Sequence, residues 1–264
     1  MTALEEVVGE LERSGKYATL CRATHERIAF WALQRHPRPK DAAKAAKRKL
    51  HQAFGAYLDP GAIASAERLT AGLGEAPSPG ALAAAARDIL RHHASSAERL
   101  DDLEGFYAAL WHATGRPRHV ADLACGFSPF ALPFMGLDPD CRYDGIDIDT
   151  RLAAAADRFR ALTGRPGGVT ADDLLVHPPA GHADVALVLK TLPCLDRQDP
   201  GASARLLAGI DADAIVVSYP VRSLGGRDKG MAESYREAFR RLATDLGRRV
   251  DEPEIAGELV FVVT

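Results

Sequence analysis

The 264 residues carry 33 Lys/Arg against 36 Asp/Glu, 47% are apolar, and no 18-residue apolar run occurs; a soluble globular chain is expected and a membrane span is not. Four scattered cysteines (Cys21, Cys125, Cys141, Cys194) form no C-x-x-C pair, which argues against a disulfide frame or a zinc site and for reduced thiols in the cytoplasm. The opening "MTALEEVVGELERSGK" is acidic and amphipathic, unlike a secretory or transit peptide.

Residues 1–113 read as helix. "LEEVVGELERS", "CRATHERIAFWALQRH", "PKDAAKAAKRKLHQAFGAYL", "PGAIASAERLTAGL" and "PSPGALAAAARDILRHHASSAERLDDLEGFYAALWHATG" are each apolar at three-to-four spacing and punctuated by Pro or Gly, so about five helices are expected. Charge is uneven along them. Between Arg13 and His51 lie 11 Lys/Arg against only Glu26 and Asp41, a net +9 that leaves −12 on the rest of a chain whose total is −3. On the third helix Lys40, Lys44, Lys47 and His51 share one stripe, and Ala43, Ala46, Leu50, Ala53 and Tyr57 form an apolar stripe roughly 100° away. A cationic face balanced only by Asp41 points to a polyanion, because counterion release depends on local charge. Lys16, Lys40, Lys44, Lys47, Arg48, Lys49 and His51 are the candidate contacts there.

After "TGRPR" the pattern changes. Short β-rich runs ("HVADLA", "CRYDGIDI", "GVTADDLL", "DVALVLK", "AIVVSY", "EIAGELVFVVT") alternate with the helical stretches "TRLAAAADRFRALTG", "GASARLLAGI" and "GMAESYREAFRRLATDLGRR". That alternation predicts a mostly parallel sheet wrapped by helices. Two domains are expected, helical over 1–115 and α/β over 116–264.

"RHVADLACGFSPFALPFM" (118–135) then reads as a buried strand running into a loop with one glycine, Gly126, where a dinucleotide site carries three. Ser128 is the expected N-cap of the following helix, with Pro129 in its first turn. Asp147, 21 residues beyond Gly126, ends the second strand where a carboxylate accepts from ribose hydroxyls. The extra glycines serve a pyrophosphate, so a nucleoside lacking phosphate, such as S-adenosylmethionine, fits the looser loop. "TADD" (Asp172, Asp173) closes a third strand where a carboxylate can accept from an adenine amino group, and "ALVLKTLPCL" ends a fourth beside the same pocket. A nucleotide-binding domain without cofactor chemistry, or an Asp147 that merely caps the next helix with Asp149, fits the same residues.

The set "KYATLC", "AAKRKLHQAFGAYL", "HASSAERL", "VADLACGFSPFAL", "GIDID", "ALVLKTLPCLDRQ", "VVSYPVRSLGGRDKGMAESY" and "GELVFVV" resembles the aminoglycoside-resistance 16S rRNA methyltransferases that modify N7 of guanine 1405. The resemblance spans nearly the whole chain. It implies a class I methyltransferase fold, a mostly parallel seven-stranded Rossmann-like sheet, behind a helical docking domain. It also implies S-adenosylmethionine as donor with S-adenosylhomocysteine as product, 16S rRNA in the 30S subunit as partner, and resistance to gentamicin- and kanamycin-type drugs; a monomer is expected. Carried over by motif, Arg99 grips the methionine carboxylate with a two-pronged contact, with His92, His93 and Ala94 lining the same pocket. Ala124 and Gly126 flank the methionine moiety, Asp147 holds the ribose, Asp173 with Leu174 the adenine, and Ile148, Leu189 and Gln198 complete the site. Glu258 and Lys190 would stand near the target base, and Arg222, Arg227 and Lys229 of "VRSLGGRDKG" would reach phosphates. By spacing alone Arg99 could instead pair with Glu98 or Asp102. The paired histidines find no matching Cys/His set, so no metal is expected. An enzyme acting at N1 of adenine 1408, a non-catalytic ribosome-assembly protein and a small-molecule methyltransferase remain alternatives.

Overall fold

The computed structural model describes residues 2–54, 59–220, 231–255 and 257–264. The chain opens with three helices, α1 (Ala3–Glu12), α2 (Arg22–Leu33) and α3 (Pro39–Phe54). Thr2 and Glu5 form a reciprocal capping box at the start of α1. Next come α4 (Pro60–Ala71) and α5 (Pro79–Arg91), each with Pro in the first turn behind an Asp59 or Ser78 cap. The expected fifth helix is not continuous. It divides into α5, a single turn α6 (Ala94–Ala97), a 3-10 turn at Leu100–Asp102 and α7 (Leu103–Thr114). The Asp102 carboxylate accepts from the Gly105 N–H and starts α7 afresh, so residues 92–102 fold back toward the sheet.

Seven strands follow: β1 (His119–Leu123), β2 (Arg142–Asp147), β3 (Gly167–Ala171), β4 (Ala183–Leu189), β5 (Ala212–Pro220), β6 (Val250–Asp251) and β7 (Glu258–Val263). Their order is β3-β2-β1-β4-β5-β7-β6; β1 to β5 run parallel and β7 antiparallel between β5 and β6. The order reverses between β1 and β4, the crevice where ligands of open α/β sheets bind. The helices between strands are α8 (Thr150–Leu162), α9 (Leu192–Gln198), α10 (Ala202–Gly209) and α11 (Met231–Asp245).

Two local expectations differ from the structure. Ser128 is the first residue of a 3-10 segment, Ser128–Phe134, and does not cap an α-helix; Pro133 has no N–H for a longer helical ladder. "TLPCL" is not the end of a strand either. β4 stops at Leu189, and Thr191-Leu192-Pro193 turns the chain into α9 with Pro in its first turn.

Packing divides the chain elsewhere than the change from helix to strand near residue 115. Val7, Leu11, Ile28, Ala46 and Leu50 belong to a core built from α1–α3 and the α1–α2 connection, with Ile148 packed against it. Ile63, Leu90, Phe106 and Leu110 of α4, α5 and α7 share one apolar cluster with Val120, Phe130, Tyr143 and Phe159 of the sheet layer. The second and larger part of the helical region is therefore one face of the α/β body.

Candidate functional site

A cavity opens at the carboxyl ends of β1, β2 and β4. The chain turns there through left-handed backbone: Gly126 has φ 52°, and two non-glycine residues, Ala124 (φ 56°) and Lys190 (φ 58°), do the same just past β1 and β4. Such backbone is uncommon for side-chain-bearing residues and gathers at ligand sites. The Asp147 carboxylate spans the opening. It accepts from the Gly126 N–H at 3.0 Å and from the Asp149 N–H at 2.9 Å. Asp149 caps α8 through the N–H groups of Arg151 and Leu152, so the alternative of Asp147 as that helix's cap is not what the structure shows. Burial pushes Asp147 up to about 6 against the pull of those two N–H donors.

Of the residues singled out in the sequence, His93, Arg99, Ala124, Gly126, Asp147, Ile148, Asp173, Leu174, Leu189, Lys190 and Gln198 line this cavity. His92 does not. It caps the end of α5 and is exposed, since a helix turns adjacent side chains apart. The side chain of Ala94, and all of Arg222, Arg227 and Lys229, lie outside the described residues. His93 stacks on Phe127 with ring centroids 4.5 Å apart, and burial followed by the nearby Lys190 charge lowers it to about 4, leaving a neutral imidazole at pH 7.

Arg99 pairs with neither Glu98 nor Asp102. Its Nε and Nη2 reach the two Glu258 oxygens at 2.5 and 2.8 Å, while the guanidinium lies over the Phe106 ring at 4.4 Å. The fork expected to hold a ligand carboxylate thus already holds a protein one, and among the described residues no acceptor takes the Nη1 side of the guanidinium. Glu258 is correspondingly not free near a target base: its side chain is 2% exposed and bonded to Arg99 and to Lys190, the latter at 3.1 Å. Burial would raise Glu258, but the two cations outweigh it and hold its carboxyl below the ordinary value. Lys190 also donates to Glu98 Oε2 at 2.5 Å and to the Ser95 carbonyl at 3.4 Å, clamping α6 to the sheet. Sequence spacing could not reveal this network, because Arg99 and Glu258 are 159 residues apart.

The basic helix α3 is only partly open. Lys40, Lys44, Arg48 and His51 are exposed and Lys16 is half-buried. Lys47 faces α1 and pairs with Glu10 at 3.5 Å. Lys49 donates to the Arg197 carbonyl at 3.1 Å and lies over the Trp31 ring at 5.0 Å, so both have partners within the protein where the sequence suggests a free cationic face. Among the described residues one potential metal-ligating group, His182, Asp184 and Asp213, sits at the opposite ends of β4 and β5, away from the cavity.

Sheet order, crossover crevice and a cavity with one glycine turn and one strand-end carboxylate define a class I S-adenosylmethionine-dependent methyltransferase. Residues 13–262 match the family described as ribosomal RNA methyltransferase (FmrO). The chain belongs to that family. It is 41% identical to a 16S rRNA (guanine(1405)-N(7))-methyltransferase from Frankia casuarinae over 99% of this chain and 93% of the relative. A Micromonospora echinospora enzyme described by the same words is 35% identical over 98% and 96%. The 16S rRNA methyltransferase RmtF, solved with S-adenosyl-L-homocysteine, superposes with a TM-score of 0.82 at 34% identity, covering 100% of this chain and 98% of that one. The 16S rRNA methylase RmtB gives 0.80 at 29%, covering 99% and 98%. No described helix is long and apolar enough to cross a membrane.

Proposed function

We propose that this chain transfers a methyl group from S-adenosylmethionine to N7 of guanine 1405 of 16S rRNA within the 30S subunit, and that the modified base confers resistance to aminoglycosides such as gentamicin and kanamycin. The observation that carries the reading is the match along nearly the full chain to enzymes described by that activity, together with a cavity whose groups suit the donor.

The residues present fit the donor. Asp147 offers carboxylate lone pairs for a ribose diol, Leu174, Leu189 and Leu195 offer apolar walls for a base, and the Arg99 guanidinium suits an amino-acid carboxylate. When bound, S-adenosylmethionine supplies an electrophilic methyl group on a sulfonium. Guanine N7 holds its lone pair in the ring plane and carries no proton, so the chain needs no general base. Neutral His93 and the paired Glu258 agree with that economy. What the protein contributes is placement and exclusion of water. Arg99, Lys190 and Glu258 form a rigid charged floor under the methionine end, and Lys190 holds α6 over it. Guanine N7 faces the deep, narrow major groove of A-form RNA, which side chains do not enter, so a distorted or flipped nucleotide is needed. The exposed cations of α3 would hold the subunit while that happens. The docking unit then corresponds to α1–α3, the part of the helical region with its own core, with the enzyme acting as a cytoplasmic monomer.

Incubating purified 30S subunits with methyl-labelled donor and mapping the mark tests the assignment directly. Label at N7 of guanine 1405 is expected; label at N1 of adenine 1408, or tight binding without label, would replace it by the corresponding alternative. Reversing Lys40, Lys44 and Arg48 to Glu should weaken 30S binding by at least about 100-fold in moderate salt, because each lost phosphate contact also loses counterion release. S-adenosylhomocysteine affinity measured by calorimetry should stay within about twofold in that variant. Cofactor affinity falling in step would make the helix a purely structural element.

Cofactor affinity should also depend on acid. Asp147 is raised to about 6, above the ordinary 3.8, and a ribose diol needs its ionised form. Protons therefore compete with the ligand below that value. S-adenosylhomocysteine affinity is expected to be flat from pH 8 to 7 and to fall toward tenfold per unit below about 6. Asp147→Asn should bind weakly at every pH and without that slope.

A further inference from the structure

Two residues of the amino-terminal helices reach the cavity rim although no cofactor motif includes them. Arg27 on α2 donates through Nε to Asp173 Oδ2 at 2.9 Å, and its Nη2 lies 2.8 Å from the same oxygen and 2.7 Å from Gln198 Oε1. Thr24 Oγ1 donates to the same Asp173 oxygen at 2.7 Å. The group is shielded from water: the Arg27 side chain is 19% exposed and that of Asp173 3%, and Gln198 is buried. Both Asp173 and Gln198 line the cavity.

A guanidinium has donors and no acceptor, so it dictates the orientation of any amide beside it. Gln198 must turn its oxygen to Arg27 and its nitrogen away. The Cys194 carbonyl takes one N–H at 3.3 Å, and among the described residues no other acceptor takes the second. Asp173 is ordered in the same way. Its Oδ2 is filled by Arg27 and Thr24, while Oδ1 accepts from the Leu175 N–H at 2.9 Å and keeps a lone pair. The wall therefore offers one N–H donor from Gln198 and one carboxylate acceptor from Asp173. Adenine presents the matching pair, a ring nitrogen that accepts beside an amino group that donates; hypoxanthine and guanine carry a carbonyl in place of that amino group.

We propose that Arg27 is a positioning residue that selects adenine: by fixing the Gln198 amide and occupying one oxygen of the Asp173 carboxylate, it makes the pocket read the base of the cofactor as donor and acceptor in one sense only. This rests on the methyltransferase reading. It gives the amino-terminal helices a part in cofactor recognition besides rRNA docking.

The test is calorimetry of the full-length protein with S-adenosylhomocysteine and with its inosine counterpart, in wild type, Arg27→Met, Gln198→Leu and the double variant, alongside thermal unfolding without ligand. Wild type should prefer the adenine compound by at least about 100-fold, because the inosine carbonyl meets a carboxylate. Arg27→Met should weaken S-adenosylhomocysteine by about 10- to 100-fold and shrink that preference to a few-fold, since the freed amide can turn over and the carboxylate loses the fork that fixes its orientation. The double variant should bind no more weakly than the weaker single one, because Arg27 acts through its partner. An unchanged preference ratio in Arg27→Met, or strictly additive losses, would reduce Arg27 to an anchor for α2. Should Arg27→Met not fold, Arg27→Lys, which keeps the charge but not the planar fork, is read by the same ratio. Wild type that binds neither compound would sink the methyltransferase reading itself, whereas binding with an unchanged ratio in the variant sinks only this inference.

Discussion

Glu258→Ala is expected to destabilise the fold by about 3–5 kcal/mol, the usual consequence of removing one partner from a buried ion pair. At this chain length that corresponds to a Tm lower by about 10 °C. The reason lies in what is left behind. Arg99 and Lys190, with side chains 9% and 8% exposed, would lose the carboxylate that pairs with both, leaving among the described residues Glu98 at the rim for Lys190 and the buried Asp122 charge for Arg99. Since the Glu258 carboxyl is held below its ordinary value, its contribution is complete above about pH 4.5 and is lost as pH falls through the depressed value. Chemical denaturation of wild type and variant at pH 7 gives the number. A difference under about 1 kcal/mol would mean that water reaches the guanidinium and that the triad is not a buried unit.

Asp147→Ala should do the opposite kind of damage. Loss of the carboxylate should weaken S-adenosylhomocysteine by at least about 100-fold, from two charge-assisted hydrogen bonds of about 1.5–3 kcal/mol each. The unliganded protein should unfold at nearly the wild-type temperature or slightly above it. Asp147 is raised to about 6, so at pH 7 the folded state holds it ionised against its preference, and removing the charge relieves that. The two N–H groups of Gly126 and Asp149 lose a partner and offset part of the relief. Calorimetry and a thermal melt on the same sample separate the two effects. Near-normal affinity would remove Asp147 from the site, and a large fall in Tm would make it structural. One carboxylate supplies stability and the other serves a ligand at the expense of stability.

The lone glycine after a buried strand, and an acidic residue at the end of the next strand, located the cavity from sequence alone, because strand ends and turns are local features. The alternation of short apolar runs with helical stretches likewise announced the parallel sheet. Contacts across long separations were not legible. Glu258 reads locally as the start of a strand, and only the fold brings its carboxylate under Arg99. Arg27 reads as one cation in a basic segment, since nothing in "CRATHERIAF" distinguishes a residue facing Asp173 from one facing water. The break between α5 and α7 could have been found: Asp102, three residues before Gly105, is a capping signal inside an otherwise periodic run. So could α9, whose Thr191-Leu192-Pro193 is a common helix opening.

The first three helices and their connections keep a separate apolar core, against which Ile148 of the body packs, and bond to the body through Thr19 to Asp149, Arg27 to Asp173 and Lys49 to the Arg197 carbonyl. With the docking role proposed for these helices, mutations inside that small bundle would alter what the enzyme lands on without repacking the chamber where the methyl group moves. Inheritance is free to tune the landing and the transfer at different rates, and the few residues bridging the seam are the ones that must change together.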